Sequence, residues 1–197
     1  MKRTVVPKKE RVSEEKEKTA TERLLRVFCW YPEQEFSLSE LALQAGVSKS
    51  TASRLLRGLK EWGIIKVEDK GIIMRIKANR ENQDFLELKI AKNLKSVFDS
   101  RLVEFLNQKL GHPRAIVLIG SFRRGEDIST SDIDMAVETV QKTEARIVRP
   151  EGLERYERFF PGRKIEIHLF NRSSVDINFF NNVANGIVLS GFLEVKP

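Results

Sequence analysis

The stretch that most constrains this chain is residues 115–137, AIVLIGSFRRGEDISTSDIDMAV. Its apolar start, residues 115–119, has the length and branched composition of a buried strand. It runs into Gly120-Ser121, then a polar connection, then Ser131-Asp132-Ile133-Asp134-Met135. Successive strand side chains point to opposite faces, so Asp132 and Asp134 are expected on one face while Ile133 and Met135 face a core. Two carboxylates side by side repel unless a cation lies between them, and hard divalent cations prefer oxygen ligands. The pair therefore reads as a Mg2+ site. Backbone amides at the turn after the first strand, with the Ser121 hydroxyl, are suited to phosphate oxygens.

These residues in this order resemble the active-site signature of the DNA polymerase beta-like nucleotidyltransferases, particularly the minimal, MNT-type members. That signature is Gly-Ser, ten residues, then Asp-x-Asp, often with Ala-Arg-Gly after Gly-Ser. Gly120-Ser121, residues 122–131 and Asp132-Ile133-Asp134 match it, as do Arg124-Gly125, while Arg123 replaces Ala. The resemblance implies a third carboxylate on a later strand. Residues 164–170, KIEIHLF, alternate so that Ile165, Ile167 and Leu169 share one face and Glu166, His168 and Phe170 the other. Glu166 occupies the implied position, although Glu on the exposed face of a half-buried strand is also ordinary. His168 reads as a structural neighbour rather than a ligand. NNVANGIVLSG, at residues 181–191, is similar to the family's closing helix and strand, departing at Asn185 and Ser190.

The resemblance implies transfer of a nucleoside monophosphate, AMP from ATP, to a hydroxyl of a protein or small molecule. Asp132, Asp134 and Glu166 would be the catalytic and metal-binding carboxylates for two Mg2+ ions, and Gly120, Ser121 and Arg124 the nucleotide contacts. MNT-type relatives often act with a separate HEPN-type protein, and some are antitoxins that adenylylate it. A HEPN-type acceptor and a toxin-antitoxin operon are thus implied partners and context.

Charge separates the two ends of the chain. Residues 1–80 hold 18 Lys and Arg against 11 Asp and Glu, whereas residues 81–197 hold 17 of each, so the net charge of +7 lies in the first part. A basic unit ahead of a neutral one suggests that the first meets a polyanion. Residues 1–18 are nearly all polar, with KKER and EEKEK and no apolar stripe, and read as a flexible arm or the frayed start of a helix. Leu24, Leu25, Val27 and Phe28 then have helical spacing up to Pro32. Ser37 with Glu40 forms a capping-box pattern before a second helix, Gly46 marks a turn, and Ser48 caps a third helix. Ala52, Leu55, Leu56 and Leu59 occupy one side of that third helix. Two apolar strands, residues 64–67 and 72–76, flank a turn at residues 68–71.

Three helices and a hairpin in this order resemble a winged helix-turn-helix domain of bacterial and archaeal transcription regulators. Small polar residues at the start of the third helix suit the major groove, and flanking cations suit phosphates. The candidate DNA contacts are Lys49, Ser50, Thr51, Ser53, Arg54, Arg57 and Lys70, with Lys66 and Arg75 also on the hairpin.

Residues 84–110 carry apolar positions at intervals of mostly three or four, a long helical pattern expected either to brace both domains or to pair with its copy in a homodimer. A further helix is expected over residues 152–160, with Leu153, Tyr156, Phe159 and Phe160 on its apolar side. Cys29 is the only cysteine, which excludes an intrachain disulfide and a cysteine-based zinc site. No apolar run approaches the ~20 residues of a membrane span, and no leader pattern is present, so a cytoplasmic protein is expected. The expected fold is α+β: a charged arm (1–18), a winged helix-turn-helix (19–80), a connecting helix (81–112) and a nucleotidyltransferase domain with a mixed sheet (113–197). The competing readings are a DNA-binding transcription regulator whose second domain only senses nucleotide, and a protein interaction adaptor.

Overall fold

The structure, a computed structural model, describes residues 8–69 and 74–195. Lys70 and residues 1–7 of the expected arm lie outside the described residues. The chain divides into two compact units, Met1–Phe85 and Leu86–Pro197.

The first unit contains α1 (Lys8–Trp30), α2 (Leu38–Ala45), α3 (Lys49–Glu61), β1 (Ile65–Asp69) and β2 (Met74–Ala78). Helix α1 already includes residues 8–18. The Ser37 amide donates to Glu40 Oε2 (2.6 Å) and the Glu40 amide to Ser37 Oγ (3.3 Å), the reciprocal bonding expected from the sequence. Such a cap is worth about 1 kcal/mol. It also holds the Glu40 carboxyl below the usual range, through the Ser37 amide first and the Ser37 hydroxyl next. Gly46, at φ 61°, turns the chain out of α2, and Ser48 caps α3. The core is built from Leu24, Phe28, Phe36, Leu41, Ala52, Leu56, Leu59 and Ile76, all buried, and the rings of Phe28 and Phe36 meet edge to face. The hairpin strands pair antiparallel from Ile65 opposite Ala78 to Asp69 opposite Met74, so β1 extends through residues 68 and 69, where the sequence suggested a turn.

The second unit holds α4 (Gln83–Asp99) from Leu86 onward, α5 (Leu102–Lys109), β3 (Ala115–Leu118), α6 (Gly120–Arg124), β4 (Ile133–Glu138), β5 (Arg146–Val148), α7 (Glu154–Glu157), β6 (Ile165–Phe170), α8 (Ile177–Ala184) and β7 (Ile187–Gly191). The long helical pattern of residues 84–110 is two helices. Ser100 Oγ donates to the Val97 carbonyl (2.7 Å) and accepts from the Leu102 amide (3.2 Å), and Arg101 adopts a left-handed φ of 61°. A serine hydroxyl that substitutes for backbone partners lets a helix stop without leaving buried groups unsatisfied. Phe98, one of the apolar positions of that pattern, is 51% exposed in the last turn of α4. The helix expected over residues 152–160 is the shorter α7, ending at Glu157, and of its expected apolar side Leu153 and Phe160 are fully buried while Phe159 is exposed.

The sheet order is β5-β6-β4-β3-β7, with β4 and β6 parallel and the other pairs antiparallel, which makes the mixed sheet expected for an α+β chain. All four residues of β3, an interior strand between β4 and β7, are buried. One face packs Ala115, Val117, Ala136 and Phe170 with Val183 of α8, and Phe179 and Phe180 of α8 lie against them. A fully buried valine or phenylalanine of this set contributes about 1.5–3 kcal/mol, and an alanine methyl less. Gly186 is required between α8 and β7, since a Cβ there would lie 2.3 Å from Val117 Cγ1.

Candidate functional site

The parallel register of β4 and β6 sets Asp134 directly beside Glu166 and Ala136 beside His168. Asp134, Glu166 and His168 therefore emerge on the sheet face that α8 covers further along, where His168 lies 5.7 Å from the Phe179 ring. His168 Nε2 is 3.3 Å from Asp134 Oδ1 and 3.8 Å from Glu166 Oε2. Among the described residues, these three form a group able to hold a metal ion, with one ligand atom from each all within 4.8 Å of one another. Asp132 is not one of the three. It lies half-buried one residue before β4 begins, at the end of the loop rather than on the strand.

The Gly120-Ser121 turn reaches the same place. The Ile119 amide donates to the Asp134 carbonyl (3.0 Å), which locks the end of β3 to the strand that carries the carboxylate. Gly120, at φ 71°, then opens α6, and a Cβ on it would lie 2.3 Å from Asp134 Oδ2. Both the left-handed backbone and the proximity of the carboxylate demand glycine here. Ser121 follows in α6. Arg124, in the last turn of α6, donates from Nε to Glu126 Oε2 (2.6 Å) and is exposed.

The connection from residue 122 to residue 131 is ordered by a buried polar cluster. Asp127, 1% exposed, accepts from Lys89 Nζ, from Asn93 Nδ2 (2.8 Å) and from Arg163 Nη2 (2.8 Å). Asn93 also donates to the Phe122 carbonyl (2.8 Å), and the Phe122 ring meets Phe160 edge to face. The side chains of Lys89, Asp127 and Arg163 are all fully buried. The polar spacer of the sequence is thus an interior element, pinned to α4 and to the loop before β6. Farther along, Glu157 accepts both Nη groups of Arg149 and the amide of Ile165, which fixes the start of β6. Those bonds, Arg149 first, hold its carboxyl below the usual range against the opposing effect of burial.

On the first unit, α3 buries Ala52, Leu56 and Leu59 and exposes Lys49, Ser50, Ser53, Arg54 and Arg57. Thr51 is half-buried, with its hydroxyl 2.8 Å from that of Ser48. On the hairpin, Lys66 pairs with Glu81 and Arg75 lies 3.7 Å from Glu40, so acidic neighbours offset part of the positive charge expected there.

The sequence reads His168 as a structural neighbour, and the structure places its Nε2 beside both carboxylates. Its one signal was its place two residues from Glu166 on an alternating strand, which shows a shared face but not that the ring turns toward Asp134. Asp127 had none, because its three partners come from residues 89, 93 and 163.

Two family models match separate parts of the chain. No curated protein matches it. The crystal structure of the transcriptional regulator PA4135 aligns at 16% identity over 55% of this chain and 93% of its own, with a TM-score of 0.34, a value at which two folds need not be alike. Residues 20–69 match the family model of the IclR helix-turn-helix domain. Residues 99–179, which include Gly120, Asp134 and Glu166, match that of the nucleotidyltransferase domain. The chain is therefore an IclR-type helix-turn-helix domain followed by a nucleotidyltransferase domain.

Proposed function

We propose that the protein is a Mg2+-dependent nucleotidyltransferase that moves AMP from ATP onto a hydroxyl, working in the cytoplasm and tied to DNA by its first domain. The observation that carries this reading is the pair Asp134 and Glu166, adjacent across β4 and β6, with the Gly120 backbone closed against Asp134. The donor set fits a divalent cation: the two carboxylates present donor atoms within 4.8 Å of one another, and oxygen ligands suit Mg2+.

Asp132, Asp134 and Glu166 are the residues that would hold the metal. Bound divalent ions supply a grip on the triphosphate and lower the pKa of the attacking hydroxyl. Gly120 and Ser121 orient the phosphates through the turn that opens α6. Arg124 exchanges Glu126 for a phosphate oxygen. Glu166 accepts the proton of the acceptor hydroxyl as its oxygen bonds to the α-phosphorus and the bond to pyrophosphate breaks. Lys49, Ser50, Thr51, Ser53, Arg54 and Arg57 meet DNA, the small side chains near base edges and the cations at phosphates. The acceptor hydroxyl belongs to a protein or a small molecule, a HEPN-type protein being the partner that the resemblance implies, and with such a partner the helix-turn-helix domain would autoregulate the operon of the pair.

The test is incubation with Mg2+ and each α-labelled nucleoside triphosphate, with and without lysate of the source cells, beside an Asp132→Ala, Asp134→Ala control. Label moving to an acceptor in the parent protein alone supports transfer. Nucleotide binding without transfer favours a second reading, a transcription regulator that senses nucleotide. The helix-turn-helix domain in the same chain favours that alternative, but a sensor needs a pocket and not adjoining carboxylates.

A further inference from the structure

We infer that His168 is a direct ligand of the metal held by Asp134 and Glu166, so that this site discriminates in favour of Mn2+ over Mg2+. The inference rests on the metal-dependent reading above and concerns which ion the site selects. Metal bonds to imidazole nitrogen and carboxylate oxygen are about 2.0–2.2 Å long, so two donors on one ion stand no more than about 4.4 Å apart. His168 Nε2 meets that limit toward both carboxylates, at 3.3 Å from Asp134 Oδ1 and 3.8 Å from Glu166 Oε2. Its ring is held from the side by Phe179, at 5.7 Å between centroids, and its backbone is fixed between Ala136 of β4 and Ile147 of β5. The nitrogen is therefore presented to the space that the two carboxylates share.

The chemistry of the donors gives the consequence. Mg2+ takes oxygen ligands and loses water reluctantly; Mn2+ shares its liking for carboxylate oxygen but, as a first-row transition ion, accepts an imidazole nitrogen more readily than Mg2+, although it stands lowest of its series in affinity for such sites. Replacing an oxygen donor by a nitrogen donor raises the Mn2+ preference of a site that carboxylates alone would leave to Mg2+. The competing assignment is purely structural: His168 Nε2, 3.3 Å from Asp134 Oδ1, would only hydrogen-bond and orient that carboxylate.

The experiment uses the full chain with metal alone. Pulsed electron paramagnetic resonance of bound Mn2+ should show modulation from a directly bound nitrogen, lost in His168→Ala. In titrations, His168→Ala should weaken Mn2+ binding about tenfold or more while Mg2+ binding changes less than about twofold. His168→Asn keeps a donor for Asp134 but removes the imidazole, so it should bind Mn2+ as weakly as His168→Ala; thermal melts report whether each variant is folded. Bound Mn2+ without nitrogen modulation, equal loss for both metals, or recovery of Mn2+ affinity in His168→Asn would each overturn the assignment. These readouts involve no nucleotide, so nitrogen coupling together with absent AMP transfer would refute the transferase reading and leave this one standing.

Discussion

Asp127→Ala tests whether the loop before Asp132 is held by its buried charges. Asp127 lies in the spacer between Gly120-Ser121 and Asp132, and its fully buried carboxylate is shared by Lys89 and Arg163, also fully buried. Replacing two charges and their acceptor by apolar groups of like volume is often nearly neutral, but removing one partner from such a set costs about 3–5 kcal/mol. The substitution also takes an acceptor from Asn93. A domain is stable by about 5–15 kcal/mol, so a large share of the second unit's stability is at stake. At roughly 4 °C per kcal/mol for a unit of this size, its Tm should fall by about 12–20 °C. The two tryptophans, Trp30 and Trp62, both lie in the first unit, so their fluorescence follows that unit while far-ultraviolet circular dichroism follows both. The expected result is a lowered dichroism transition with the fluorescence transition unchanged. Lys89→Met, Asp127→Leu, Arg163→Leu together should be less destabilising than Asp127→Ala alone. A second-unit Tm within about 3 °C of the parent in Asp127→Ala would refute the reasoning.

Gly120→Ala should leave the chain folded at a cost of about 1–3 kcal/mol, because its left-handed φ of 71° is strained for alanine. Its Cβ must also displace the Asp134 carboxylate, 2.3 Å away, so nucleotidyl transfer, measured at saturating nucleotide, should fall about 100-fold. The depressed Glu157 carboxyl contributes stability that is full above the ordinary glutamate pKa, about 4.3, and is lost as pH falls through its lower folded value. Melts of Glu157→Gln and parent should accordingly differ at pH 7 and converge as the pH drops well below 4.3. Arg57→Ala, on the exposed face of α3, should weaken binding to any duplex and reduce the slope of log affinity against log salt by about 1, as read by fluorescence anisotropy at several salt concentrations.

Much of the fold was legible because its signals are local. The capping box at Ser37 and Glu40, the glycine turn at Gly46, and the alternation of residues 165–170 each depend on neighbours within a few positions. The order strand, Gly-Ser, Asp-x-Asp and later carboxylate, with the family resemblance it carries, marks out Asp134 and Glu166 in the sequence itself. Simple alternation makes Asp132 a strand partner of Asp134, and there the structure differs, because Asp132 ends the loop.

What the sequence determined by itself, then, is a basic helix-turn-helix unit, an apolar β3 and two carboxylate-bearing strands, all products of short-range periodicity and charge. The tertiary structure alone decided the parallel register that seats Glu166 beside Asp134, the turning of His168 between them, the interior burial of Asp127, and the break of one helical pattern at Ser100. Each of those joins groups distant in sequence or depends on what one helix face finds to pack against, and neither periodicity nor spacing encodes which distant group will be met.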